Sequence, residues 1–432
     1  MGDSFWSRID RRRCHLDRSL ERALVSFDRT LPRKGELELM ALLFLHGMAL
    51  ASWFVPLGIV LDKAELGSIK SMAFAASAVA AMLSPLFFGA MADRSVPPAK
   101  VLRWISIATA ATVSLIAVAI EARWSSWSVL LLIQLQALFC SPTSSLAGSI
   151  VFSQLVGSQR QFGTVRALGT IGWMAGCWTV SMFSLDASPR AFLLSGLLWC
   201  LLAAFTVRLS HASRSSSTVH RLTLRERFGW DALSLLKNHD HRVVFITSTL
   251  VAIPFAAFYP FTPPHLADLG LQRVSAWMSL GQISEVMALV CIGGILQRWK
   301  FKWVVSAGIG FGVLRYLLYA TDSKWMVLLG LSLHGVAFTF TYISMQIYLA
   351  ERIDAQWRTR AQALLAMMTG GIGNLAGYLG CGAWLAFCTT QNGTDWGAYW
   401  GWLCAIVVIV MVYFSASFRG TQAKSEGTKR DD

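Results

Sequence analysis

The stretch LMALLFLHGMALASWFVPLGIVL, from Leu39 to Leu61, holds no charged residue, and its plainly polar side chains are His46 and Ser52. A hydrocarbon core of roughly 30 Å takes about 20 helical residues to cross, and a helix satisfies its own backbone polar groups there. The stretch therefore reads as a membrane-spanning helix. Five more complete a first set: Ser71 to Met91, Val101 to Ile120, Trp127 to Phe152, Thr164 to Phe183 and Ala191 to Val207. A second set repeats the rhythm: Val243 to Tyr259, Ala276 to Leu296, Trp303 to Tyr319, Trp325 to Ala350, Ala361 to Phe387 and Ala398 to Phe418. The expected fold class is an all-α membrane protein with twelve transmembrane helices in two pseudo-symmetric six-helix bundles.

Of 432 residues, 55% are hydrophobic, 14% are charged and 18 are Trp, a mix foreign to soluble domains. The net charge of +14 invites a nucleic-acid reading, but the basic residues gather in alternate loops, seventeen on one face against six on the other. The positive-inside rule then places both termini in the cytoplasm, in a multi-pass protein of the cytoplasmic (inner) membrane, with the lipid bilayer and not nucleic acid as partner. The eight Cys are scattered, and no Cys and His cluster has metal-ligand spacing, so neither metal nor cofactor is expected. An enzyme is not expected either: no phosphate-cradling loop, H-E-x-x-H or nucleophile with a recognisable base is present. Asn392-Gly393-Thr394 reads as a plain turn.

These features divide the chain. Residues 1–36 form a basic amphipathic cytoplasmic segment without the apolar core of a signal peptide; Phe5, Trp6, Ile9, Leu16 and Leu20 interleave with arginines, suiting either a helix on an anionic leaflet or a disordered tail. Residues 37–207 are the first bundle, 208–242 a cytoplasmic central loop, 243–418 the second bundle and 419–432 a disordered cytoplasmic tail.

Gly89-Ala90-Met91-Ala92-Asp93-Arg94, followed by Lys100, stands between spans 2 and 3. Gly293-Gly294-Ile295-Leu296-Gln297-Arg298, followed by Lys302, stands at the equivalent place in the second half. With the twelve spans and the long central loop, this repeat resembles the major facilitator superfamily, whose solute site lies between the halves near the bilayer midplane.

A charge at the centre of a span costs about 2.5 to 3.5 kcal/mol on insertion scales, so it needs a partner or a water-filled cavity. Arg166 lies at the start of span 5, Glu285 near the middle of span 8 and Arg315 towards the far end of span 9. Glu285 is the functional candidate, an acid deep in an apolar helix. Arg315, near an interface where it could snorkel, reads equally as half of a structural ion pair. Gln282 and Glu285 share one helical face, and Arg166, Thr170 and Trp173, at i, i+4 and i+7, share another. Donors and acceptors beside a flat ring suit a polar solute carrying an aromatic or sugar ring. His46 and His334 read as either core histidines or proton carriers.

At finer grain the sequence resembles the nucleoside:proton symporters of that superfamily. The resemblance rests on Ser52-Trp53 and Leu57-Gly58, Pro142-Thr143, Arg166 with Gly169-Thr170-Ile171-Gly172, Asp231-Ala232 with Lys237-Asn238, and Gln282-Ile283-Ser284-Glu285. It continues through Leu314-Arg315, Ala361-Gln362, Met367-Met368-Thr369 and Asp395-Trp396. It implies that Arg166, Thr170, Trp173, Gln282, Glu285 and Phe338 hold a nucleoside-like solute, that Gln282 and Glu285 hydrogen-bond ribose or base, and that Trp173 or Phe338 packs on a ring. Two departures accompany it. Where span 7 of the family offers amides, this chain has Ala256-Ala257-Phe258-Tyr259, and where span 10 carries an acid after the aromatic, it has Thr339, with His334 replacing a Tyr one turn earlier. Glu285 and His334 are then the candidates for proton coupling. Import by proton symport with alternating access is the expected function; efflux or uniport of another amphipathic solute, and a non-transporting scaffold, are the alternatives.

Overall fold

The computed structural model describes residues 34–92, 96–154, 159–209 and 230–420. The basic N-terminal segment up to residue 33, the Gly89 to Arg94 motif's side chains, most of the central loop and the polar tail lie outside the described residues.

The first half comprises α1 (Lys34–Phe54, resumed at Leu57–Lys63), α2 (Lys70–Ala92), α3 (Pro98–Glu121), α4 (Ser126–Gln154), α5 (Gln159–Met182) and α6 (Arg190–Leu209). The second comprises α7 (His239–Phe255, resumed at Phe258–Asp268), α8 (Val274–Arg298), α9 (Phe301–Ala320), α10 (Lys324–Ser332 through Ser344–Arg352), α11 (Ala355–Ala366 through Asn374–Cys388) and α12 (Trp396–Ser417). Among the described residues, eleven helical stretches are long and apolar enough to cross a bilayer. The remaining helix, α5, has the side chains of its first two turns outside the described residues. Large apolar side chains such as Trp127, Val290, Phe387 and Ile409 face outward, as contact with hydrocarbon requires. The Asn392 sequon occupies the turn of a two-residue hairpin, β1 (Thr389–Thr390) and β2 (Gly393–Thr394), where Gly393 takes φ +117°.

Each half packs around its own hydrophobic core. In the first, α1 packs on α5 and α6, and α3 packs on α4 and α6. A Cβ on Gly172 would collide with the Phe44 carbonyl, so α1 and α5 meet backbone to backbone. In the second, α9 packs on α12, α8 on α10, and α7 on α11 and α12. Across the halves, α2 meets α11 and α5 meets α8, one contact repeated by the exchange of halves.

Span 7 requires a correction: the expected end at Tyr259 falls inside a helix that continues to Asp268. Pro260, Pro263 and Pro264 all lie beyond the expected end, within the helix. The break actually falls at Ala256–Ala257, and Pro260 then sits in the first turn of the new segment, where its missing N–H costs nothing. Helix α1 is interrupted at the matching place by Pro56, which cannot donate to the Ser52 carbonyl. The resumed segments of α1 and α7 pack on each other, with Gly58 against the Pro260 carbonyl.

The same end of the molecule is tied by hydrogen bonds between the halves. Arg273, ahead of α8, adopts φ +57° and provides no side-chain cap. Instead Asp186, just beyond α5, accepts from the Ser275 N–H at 2.7 Å and from the Ser181 hydroxyl at 2.8 Å, while Ser181 Oγ accepts from the Ala276 N–H at 2.9 Å. The first turn of α8 leaves amides without helical partners, and here the opposite bundle satisfies them. Trp178 Nε1 adds a bond to Ser279 Oγ at 2.9 Å.

Candidate functional site

Between the halves lies a cavity of about 590 Å³. It begins beneath the broken segments of α1 and α7 and extends to Val151 of α4 and Gln346 of α10, towards the helix ends from which the basic loops emerge. Helices α1, α4 and α5 supply one wall, and α7, α8, α10 and α11 supply the other.

Thr170, Trp173, Gln282, Glu285, Phe338 and His334 all line this cavity. The backbone of Arg166 lies in α5, one turn before Thr170, and its side chain is outside the described residues. His46 also lines the cavity and bonds to Thr143 Oγ1 at 2.9 Å. Thr339, which takes the place of the family's acid, is fully buried and outside the lining, and its hydroxyl has no hydrogen-bond partner.

One side of the cavity is aromatic. Trp173 and Tyr259 approach with ring centroids 5.7 Å apart, Phe54 closes on Tyr259 at 5.2 Å, and Phe338 lies along α10. Gln282 Nε2 donates to the Tyr259 hydroxyl at 3.3 Å, so α7 presents a hydroxyl where amides were absent. Two polar atoms remain without hydrogen-bond partners, the donor Trp173 Nε1 and the acceptor Gln282 Oε1. A buried polar group left unpaired costs about 1 to 3 kcal/mol, and neither atom is exposed to the cavity in this conformation. Thr369 and Asn374 of α11 extend the polar surface.

Glu285 is set in place by backbone contact. A Cβ on Gly335 would collide with the Glu285 nitrogen, and the Gly335 N–H donates to Ser284 Oγ at 3.1 Å, so α8 and α10 touch directly at the Glu285 backbone. Just beside this contact, Arg315 neither snorkels nor enters an ion pair among the described residues; it is fully buried, and its Nη1 donates to His334 Nδ1 at 2.6 Å. Its guanidinium lies 4.4 Å from the ring centre of Phe255 and 4.5 Å from that of Tyr316, so aromatic faces share in stabilising the charge.

Tyr259 and Phe255, Tyr342 and Gln346, and Thr369, Asn374 and Tyr378 escaped the sequence reading. Tyr259 is legible there as the end of a span and as part of the stretch that replaces the family's amides, without a role of its own. Thr369 had stood out among the quoted residues, but its spacing alone gave it no role.

The profile of a family described as Nucleoside H+ symporter matches residues 34–423. The putative nucleoside transporter YegT of Escherichia coli (strain K12) is 29% identical over 419 residues, covering 92% of this chain and 97% of that protein. Nucleoside permease NupG of the same organism is 25% identical over 410 residues, covering 89% and 96%. A crystal structure of a point mutant of nucleoside transporter NupG superposes with a TM-score of 0.82 at 25% identity, covering 89% of this chain and all of that one.

Proposed function

The chain belongs to the nucleoside H+ symporter family, and from that premise we propose that it imports nucleosides or closely similar polar ring compounds together with protons across the cytoplasmic membrane. The observation that carries the reading is the cavity itself, which gathers Thr170, Trp173, Gln282, Glu285 and Phe338 from both halves and leaves a donor and an acceptor unpaired beside aromatic rings. The solute's base packs against Trp173 and Phe338; its polar edge or ribose meets Gln282 and Glu285, with Arg166 one turn away. Glu285 takes up and releases the coupled proton, since a carboxyl inside the membrane is held there for such work.

Transport follows from the two halves, residues 37–207 and 243–418, rocking about the cavity, joined by the loop 208–242. With the basic loops on the cytoplasmic side and both termini there, the cavity of this conformation opens inward, and the hydrogen bonds that Asp186 and Ser181 accept from α8 close its outer end. Reporter fusions at the two termini test the orientation.

The test of function is uptake of labelled uridine and adenosine into transport-deficient cells at two external pH values, with Glu285→Gln alongside. Uptake that rises at acid pH and collapses in the variant is expected. Uptake indifferent to pH would replace symport with facilitated diffusion; no uptake from folded protein would move the solute class elsewhere.

A further inference from the structure

We propose that Arg315 fixes His334 as a permanently neutral hydrogen-bond donor to the transported solute, which excludes His334 from carrying the coupled proton. The inference rests on the reading of the cavity as a solute site, and it narrows the two proton-coupling candidates to one.

The argument begins with what each group is able to give. A guanidinium has five N–H donors and no acceptor, so the 2.6 Å contact between Arg315 Nη1 and His334 Nδ1 has a single chemical sense: Arg315 donates and Nδ1 accepts. A neutral imidazole whose Nδ1 accepts carries its hydrogen on Nε2. Protonating Nδ1 would set N–H against N–H and place two cations side by side where Arg315 is fully buried and His334 is 7% exposed.

The ring has little freedom to escape that choice. His334 lies flat on Phe258, centroid to centroid 3.6 Å with 2° between the planes, and its Cβ side abuts Gly281 of α8. Arg315 is itself held by the faces of Phe255 and Tyr316, and its Nε and Nη2 have no hydrogen-bond partner, so His334 is the group its donors engage. The titratable groups facing His334 are Arg315 from α9, Tyr259 from α7 and Glu285 from α8, together with Tyr342 further along α10. Since His334 lines the cavity with Nδ1 taken, Nε2–H is what it offers a solute carbonyl, ring nitrogen or hydroxyl. Arg315 is a positioning residue and His334 a specificity-determining one; the proton falls to Glu285.

Two measurements test this. Nitrogen-15 spectra of histidine-labelled protein in nanodiscs, with H334Q as the subtraction standard, read the ring directly. A pyridine-type Nδ1 and pyrrole-type Nε2 that persist from mildly alkaline to mildly acidic pH are expected, whereas two pyrrole-type nitrogens appearing within that range would overturn the proposal. R315M should release the ring to titrate, and R315K should restore part of the fixed state; a ring unchanged in folded R315M would remove Arg315 from its role. Uridine uptake provides the second readout. Gln places an N–H near the position of Nε2, so H334Q should keep its KM within about threefold, while H334L should raise KM about tenfold, the worth of one hydrogen bond near 1.4 kcal/mol. Both should retain the wild-type pH profile. A profile flattened in H334Q and H334L alike would make His334 the proton carrier. Absence of uptake by the wild type would defeat the nucleoside reading while the spectra still decide the tautomer.

Discussion

Replacing Asp186 with Ala should loosen the closed end of the molecule without touching the cavity. The carboxylate accepts from the Ser275 N–H at 2.7 Å and the Ser181 hydroxyl at 2.8 Å, and the first of these bonds joins one half to the other. A hydrogen bond to a charged group is worth about 1.5 to 3 kcal/mol when buried, and a negative charge at a helix N-terminus adds about 0.3 to 1 kcal/mol. Asp186 is only half-buried, so water replaces part of both contributions and a net loss of about 1 to 2 kcal/mol is the reasonable expectation. That corresponds to a roughly five- to thirtyfold rise in the population of open outer ends. Hydrogen exchange read by mass spectrometry on the peptide containing Ser275 and Ala276, with protein in nanodiscs, measures the opening directly, because protection reports the free energy of local opening. Exchange there should accelerate by the same factor while peptides from α9 remain unchanged. Unaltered exchange in folded D186A would refute the idea that the first half caps α8 and holds the outer end shut.

Three further substitutions probe the cavity and its supports. Trp173→Phe keeps the ring and removes the unpaired Nε1; if the solute accepts from it, the KM for uridine rises about tenfold, and an unchanged KM would leave Trp173 as packing alone. Gly335→Ala forces α10 away from the Glu285 backbone and should lower thermal stability by about 1 to 3 kcal/mol while reducing uptake, and a variant equal to wild type in both would contradict the contact. Tyr316→Phe deletes the hydroxyl that donates to the Pro254 carbonyl at 2.6 Å, next to the break in α7, and should cost about 1 kcal/mol in a denaturation assay with uridine binding preserved.

Most of the helix positions were legible because crossing a bilayer sets both length and composition. The expected and observed ends agree within a few residues except where helices break or cross a boundary by a turn. Span 7 ran past its expected end because the chain resumes as helix after the break at Ala256–Ala257, with Pro260 in the first turn, where a proline is tolerated. The site was partly legible for the same physical reason that makes it rare: Gln282 and Glu285 are expensive in an apolar helix, and Thr170 and Trp173 share a face with Arg166. Tyr259 and Gln346 were not, since a residue near a span's end carries no comparable penalty; Asn374, an amide in mid-span like Gln282, carried the same signal and was passed over. Arg315 illustrates the limit best. Sequence marked it as anomalous, but only the fold shows that it meets a histidine rather than an acid.

Helices α10 and α11 both pass through a π-helical turn where they border the cavity, at Thr339–Ile343 and at Met367–Gly373. Such a turn accommodates one residue more than an α-helix would over the same rise, which rotates everything beyond it by about 100°. On α10 the lining residues His334, Phe338, Tyr342 and Gln346 recur every four positions, a spacing that drifts by about 40° per step on an α-helix and that the wider turn brings closer to one stripe. Removing one residue from either turn would rotate the far end of the helix by about 100° and turn half a wall of the cavity towards lipid.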